Sequence, residues 1–144
     1  MEALLKDFPI VIETPVAWGD IDALQILNNV VYFRYFQNAR IAYFEKIDAF
    51  QFMKATGIGV VLASTQCKFK IPINYPDTVF IGARVSNMEK DRFSIEHVLF
   101  SQQHQKIAAE GNALMVAFDF KKNEKTIVPA ELKQRIMDLE ERSF

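Results

Sequence analysis

The amino-acid sequence predicts an α+β fold in which an antiparallel sheet curls around one buried helix. Three observations carry this expectation. Residues 29–47, NVVYFRYFQNARIAYFEKI, have helical spacing and are apolar over most of the helix circumference. Three long β-rich runs follow, over residues 79–86, 93–100 and 108–120, joined by short polar turns. Strands and helices do not alternate, which excludes a doubly wound parallel sheet. A sheet of about five strands wrapped around the helix is the economical way to cover it.

Taken in order, residues 10–17 are rich in β-branched residues and read as a first strand, with Pro15 suiting a strand end or edge. Residues 18–27 contain Gly19, Asp20 and Asp22 and read as irregular. Asn28 or Asn29 then caps the long helix by accepting from its first free amides. On that helix Arg34, Gln37, Asn38 and Glu45 form a polar stripe about 100° wide, interrupted by Ile41. Residues 48–56 read as a short second helix stopped by Gly57. Residues 58–71 form a long strand ending before Pro72, and Asn74-Tyr75-Pro76-Asp77 marks a turn. Glu89-Lys90-Asp91 and residues 102–105 are the next turns. Ala109, Gly111 and Ala113 put small residues on one face of the last strand, where a helix can lie close. Residues 129–141 read as a terminal helix with Pro129 near its first turn.

A chain of 144 residues is expected to form a single domain spanning 1–144, large enough to bury a core without staples. Thirteen Phe are many for this length, so some aromatic surface is expected in a subunit interface. A net charge of −1 gives no electrostatic case for nucleic acid or an anionic membrane. The lone Cys67 excludes an internal disulfide and a multi-cysteine metal site. His97 alternates with Phe93, Ile95 and Leu99 and reads as a core or interface histidine. Neither it nor His104 has a partner at ligand spacing, so no metal is expected. No segment approaches the roughly 18 apolar residues of a membrane span, and no basic leader precedes an apolar run. The expected compartment is the cytoplasm.

The chemistry-bearing residues cluster ahead of the long helix. Asp20 and Asp22 are either both loop-stabilising carboxylates, or Asp22 is reactive and Asp20 structural. Arg40 lies on the apolar wall of the helix and is expected to pair with a carboxylate or carbonyls in a structural role, because an unpaired buried guanidinium is too costly. There is no G-x-S-x-G, which argues against a serine α/β-hydrolase.

Trp18-Gly19-Asp20-Ile21-Asp22, then Asn28-Asn29-Val30-Val31-Tyr32-Phe33-Arg34-Tyr35-Phe36, then Ala39-Arg40, resembles the hotdog-fold acyl-CoA thioesterases. Within them it is most similar to the 4-hydroxybenzoyl-CoA thioesterase and YbgC-like branch. The resemblance implies a hotdog sheet around the central helix, and a homodimer or homotetramer with active sites between subunits. It implies hydrolysis of an acyl-CoA thioester, with coenzyme A part of the substrate and no further cofactor. It puts the catalytic carboxylate on Asp22 and the carbonyl-polarising backbone N–H near Asn29, with Asn28 capping the same turn. It matches the nucleotide-holding basic turn to Lys90 and Arg92, though Glu89 and Asp91 dilute that charge and a solvated turn explains it equally well. Lys68, Lys70 and the Lys121-Lys122 pair are further cations for CoA phosphates.

Two positions depart from the family pattern. Gln25-Ile26 stands where the family often has Gly-His, and Gln37 where it often has a helix Glu. The first departure motivates an alternative, a protein that binds an acyl thioester without hydrolysing it. An acyl-carrier-protein thioester could replace acyl-CoA in either reading. A hydratase on the same fold is the least supported, because neither histidine sits in a hydratase motif.

Overall fold

The computed structural model describes residues 1–144. A short helix α1 (Glu2–Leu5) precedes strand β1 (Ile10–Pro15) and a 3₁₀ turn (Trp18–Asp20). Helix α2 (Asn29–Lys46), helix α3 (Ala49–Thr56) and strands β2 (Ile58–Phe69), β3 (Thr78–Met88), β4 (Arg92–Ser101) and β5 (Lys106–Asp119) follow. A two-residue strand β6 (Glu124–Lys125) and helix α4 (Ala130–Glu140) end the chain. The expected elements are present with boundaries moved by a residue or two. Pro15 is the last residue of β1, and Gly57, at φ 77°, closes α3 in the left-handed conformation that glycine tolerates. The N-terminal helix, the 3₁₀ turn and β6 are the elements that sequence periodicity did not indicate.

All pairings are antiparallel, in the order β1-β3-β4-β5-β2, with β6 beside β5. Register shifts at Leu62/Ser64, Val85/Asn87 and Leu99/Phe100 each insert a local bend. The bends add to the intrinsic strand twist and curl the sheet around α2, giving the hotdog architecture. No helix is long and apolar enough to cross a membrane.

The buried side of α2 carries Val31, Tyr32, Tyr35, Phe36, Ala39, Arg40, Tyr43 and Phe44. Arg34, Gln37, Asn38 and Glu45 are exposed, as the polar stripe predicts. Beneath the helix, Phe93, Ile95, His97 and Leu99 form one row of β4, all buried. The Phe36 ring stacks on the His97 ring with centroids 4.9 Å apart and planes 7° from parallel. His97 is in register with Gly111 of β5. A Cβ at Gly111 would collide with the Phe36 ring and sit 2.9 Å from the Gln66 carbonyl oxygen. The small residues of β5 thus set how closely the helix approaches the sheet.

The opposite, convex face is partly covered by the N-terminal segment. Leu5 and Phe8 pack there on Val98 and Phe100, and the Arg84 guanidinium lies 4.5 Å over the Phe8 ring. At the other end, α4 is latched by polar bonds. Glu140 accepts from the Tyr43 hydroxyl at 2.6 Å and from the Val85 N–H at 2.8 Å, beside the bulge in β3. The aromatic surplus is mostly internal; Phe50, Phe69 and Phe120 are the Phe residues left exposed.

Arg40 and His97 share the interior. The expectation of a carboxylate or carbonyl partner for Arg40 is corrected. Its one hydrogen bond runs from Nη1 to His97 Nε2, 3.3 Å away, and no carboxylate pairs with it. His97 Nδ1 lies 2.9 Å from the Gly82 carbonyl oxygen, which only accepts. The ring proton is therefore on Nδ1, and Nε2 offers its lone pair to Arg40. Burial first, and the Arg40 charge in addition, pull the His97 pKa down to about 3.

Gly111→Ala should cost about 1–3 kcal/mol through overpacking, read as a lower urea midpoint. Adding Phe36→Leu should recover part of that loss, since the ring clash is relieved and the Gln66 carbonyl contact is not. A neutral Gly111→Ala would show that ring and carbonyl move aside freely. For His97, above pH 6.5 the ring is neutral in both folded and unfolded chains. Below it the unfolded chain takes up a proton that the folded chain refuses until about pH 3. Stability should fall across this window by up to about 1.4 kcal/mol per pH unit. His97→Gln can still accept from Arg40 and donate to Gly82, and its Tm should decline less steeply from pH 7 to pH 4.5. Equal slopes would place the acid sensitivity elsewhere.

Candidate active site

The segment between the 3₁₀ turn and α2 folds back on itself. Ile21 bridges Leu27, the Asp22 N–H donates to the Ile26 carbonyl at 2.8 Å, and the Gln25 N–H donates to the Asp22 carbonyl at 3.0 Å. The turn requires φ 65° at Gln25, a left-handed conformation favouring glycine. This is the position where the resembling family often has Gly. The loop is tied to the 72–77 segment by Leu27 N–H donating to the Ile73 carbonyl and by Asn74 Nδ2 donating to the Gln25 carbonyl.

The two aspartates separate in this loop. Asp20 pairs with Arg34 on the first turns of α2, and its carbonyl accepts from the Asn28 N–H at 3.0 Å. That is a structural role. Asp22 is half-buried and one oxygen, Oδ1, accepts from the Leu24 N–H at 2.8 Å, which orients the carboxylate. No protein donor engages Oδ2.

Asn28 is the N-cap of α2. Its Oδ1 accepts from the Val30 N–H at 3.0 Å, and its carbonyl accepts from the Val31 N–H at 2.9 Å. The Asn29 N–H has no acceptor within the chain. It is left as the free donor at the positive end of the helix dipole.

Asp22 and Asn29 line one cleft of about 480 Å³, together with Ile26, Tyr32, Phe69 and Lys70. Burial pushes the Tyr32 hydroxyl up to about 12, so it stays protonated at neutral pH. Its ring packs edge-on against Phe69 at 4.8 Å. Lys70 pairs with Glu110 at 2.7 Å. The cleft therefore offers a carboxylate oxygen, a backbone donor, apolar walls and one cation. Ile26 occupies the wall where the family often has histidine.

Lys90 and Arg92 are not at this cleft within one chain. Phe69 is in register with Ala109 and Ala109 with Leu99, so the cleft lies near the far end of β4. Arg92 begins β4, roughly 20 Å away at strand rise. Arg92 is also gripped by its neighbour, with Nε and Nη2 each 2.9 Å from an Asp91 oxygen. That pairing holds the Asp91 carboxyl below its usual range and the guanidinium above. Lys90 is exposed. Tyr32 and Phe69 carry no sequence signal that marks them as cleft residues, since aromatic residues on a helix or strand read equally as core. Lys70 reads from sequence only as one further cation among several. No three His, Cys, Asp or Glu side chains converge to hold a metal.

A profile of the thioesterase-like superfamily matches residues 16–136. The chain is 22% identical over 116 residues to the long-chain acyl-CoA thioesterase FadM of Escherichia coli K12, covering 81% of this chain and 88% of that one. The crystal structure of a thioesterase from Thermus thermophilus, complexed with coenzyme A and Zn, superposes with a TM-score of 0.83 at 27% identity, over 96% of this chain and 99% of that one. Slr0204, a 1,4-dihydroxy-2-naphthoyl-CoA thioesterase from Synechocystis, superposes with a TM-score of 0.78 at 14% identity, over 90% of this chain and 96% of that one, a likeness of fold alone.

Proposed function

The chain belongs to the thioesterase-like superfamily, and on that premise we propose that it hydrolyses an acyl-CoA thioester to a free acid and coenzyme A. The observation that carries this reading is the meeting of the Asp22 carboxylate and the unpartnered Asn29 N–H in one cleft. Thioester hydrolysis needs both: a group that delivers the nucleophile and a donor for the developing oxyanion.

With Asp22 as general base, it takes a proton from water as the water oxygen attacks the acyl carbon. The carbonyl electron pair moves onto oxygen, where the Asn29 N–H and the helix dipole receive it. When the tetrahedral species collapses, the C–S bond breaks and the departing thiolate takes the proton back from Asp22. With Asp22 as nucleophile, its oxygen forms the new bond to the acyl carbon, coenzyme A leaves, and water then hydrolyses the mixed anhydride. Either route needs no cofactor beyond what the substrate brings. Oδ2 is the oxygen for this step, since Oδ1 holds the Leu24 amide.

A homodimer or homotetramer belongs to this reading. The sheet ends on β2, whose outer edge has no strand beside it, and Leu62 and Phe69 on it are exposed. A second chain added there would bring further groups toward the cleft. It is also a way for Lys90 and Arg92 of one chain to reach the phosphates of coenzyme A held at the other chain's cleft.

Asp22→Asn keeps an acceptor for the Leu24 N–H and removes the base. It should lower kcat by about 10²–10⁴-fold across a panel of short, long and aromatic acyl-CoA substrates, with Tm unchanged. Near-wild-type rates would remove Asp22 from the mechanism. Tight acyl-CoA binding by the wild type with no thiol release on any substrate would favour a binding protein instead. Sedimentation equilibrium should return a mass of two or four 16.6 kDa chains; a monomer at micromolar concentration would contradict the shared-site arrangement.

A further inference from the structure

A second cavity lies on the other half of α2, between that helix, α3 and the start of β2. It encloses about 330 Å³, within the roughly 300–1,000 Å³ of small-molecule sites. Its walls are almost wholly apolar, with Phe44, Phe50, Met53 and Ile58 among them, and one lining residue carries a charge: Arg40.

Arg40 is 7% exposed. Its sole hydrogen bond within the chain goes to the neutral Nε2 of His97. A guanidinium stays protonated even when buried. Buried charges are normally paired, because desolvation is otherwise uncompensated. Here the positive charge has no counter-charge in the protein, and its unused N–H groups have no acceptor in the chain. An apolar cavity and an unneutralised cation in its wall are independent features, and together they describe the complement of an anionic amphiphile.

We propose that this cavity binds a carboxylate carried on a hydrocarbon chain, with the carboxylate on Arg40 and the hydrocarbon among Phe44, Phe50, Met53 and Ile58. A planar carboxylate matches the guanidinium fork and takes two parallel N–H donors. A phosphate is the poorer match, since the lining holds no second cation.

Two sources share this chemistry. One is a free alkanoic acid. The other is the distal carboxylate of an acyl thioester whose thioester end lies at Asn29, in which case the hydrocarbon approaches Arg40 from the Asn29 side and not from among Phe44, Phe50, Met53 and Ile58. Arg40 is eleven positions along α2 from Asn29, about 16 Å at helical rise. Only the second source rests on the hydrolytic reading above.

The test is isothermal titration of the full chain with decanoate and with 1-decanol, which differ in the carboxylate alone. The wild type should bind decanoate at least tenfold more tightly. Arg40→Gln should abolish that difference. Ala49→Phe keeps Arg40 and fills the cavity from the α3 side, and should weaken both ligands at least tenfold. It also decides the matter should Arg40→Gln fail to fold. Equal affinity of the wild type for decanoate and decanol, or undiminished decanoate binding by Ala49→Phe, would overturn the assignment. Comparing sebacoyl-CoA with decanoyl-CoA then separates the sources. A tenfold higher kcat/KM for the dicarboxylic substrate, lost in Arg40→Gln, makes the substrate the source; equal values make it a free acid. A protein that hydrolyses neither but still prefers decanoate keeps this site and loses the hydrolytic reading.

Discussion

Phe36, held between the His97 ring and the backbone at Gly111, governs how the other parts of the molecule are placed. It sets the distance between α2 and the sheet, and side chains on both sides of it pack at that distance. Close packing leaves little slack, so a core of this kind responds to the addition of one methyl group. With α2 held there, its N-terminus emerges beside the loop that carries Asp22. The loop is fixed in turn by backbone bonds to the 72–77 segment and by the Asp20–Arg34 pair. The cleft is thus placed by a core contact two turns further along the same helix.

Most polar groups beneath α2 follow one rule, that a buried donor or acceptor needs a partner, with the Tyr35 hydroxyl the exception that has none. Tyr43 finds it in Glu140, which also satisfies the amide beside the β3 bulge. Asp77, buried at the start of β3, accepts from Ser101, Thr78 and Gln103 and ties that strand to the turn after β4. Arg40 meets the rule only in part. Its bond to His97 fixes the histidine tautomer, while its charge stays unneutralised on the wall of an apolar cavity. A stability-optimised core would not keep such a group; a ligand site gives it a use.

Much of the fold was legible in the residues because periodicity reports burial. The apolar breadth of residues 29–47 announced a covered helix, and Ala109, Gly111 and Ala113 announced the surface it lies on. Local signals also worked: Asn28 is the cap and Gly57 the stop. What failed was anything needing the partner of a side chain. Arg40 was expected to find a carboxylate or carbonyls and finds a histidine 57 positions away. Lys90 and Arg92 are a separate matter: strand direction sets their turn apart from the cleft of their own chain, and their place at a cleft shared between chains belongs to the assembly.

Local spacing and residue chemistry were enough to establish the order of the main elements from β1 to β5 and on to α4, the aromatic helix and the motif that holds Asp20 and Asp22. They could not establish that the Asn29 N–H is left free, that Ile26, Tyr32 and Phe69 wall the same cleft as Asp22, or that Arg40 faces a cavity without a counter-charge. Those facts arise where the curled sheet and the helix bring distant residues together. No periodicity along the chain records which side chains meet across that gap, since the meeting is set by strand register and by how closely Gly111 lets Phe36 approach.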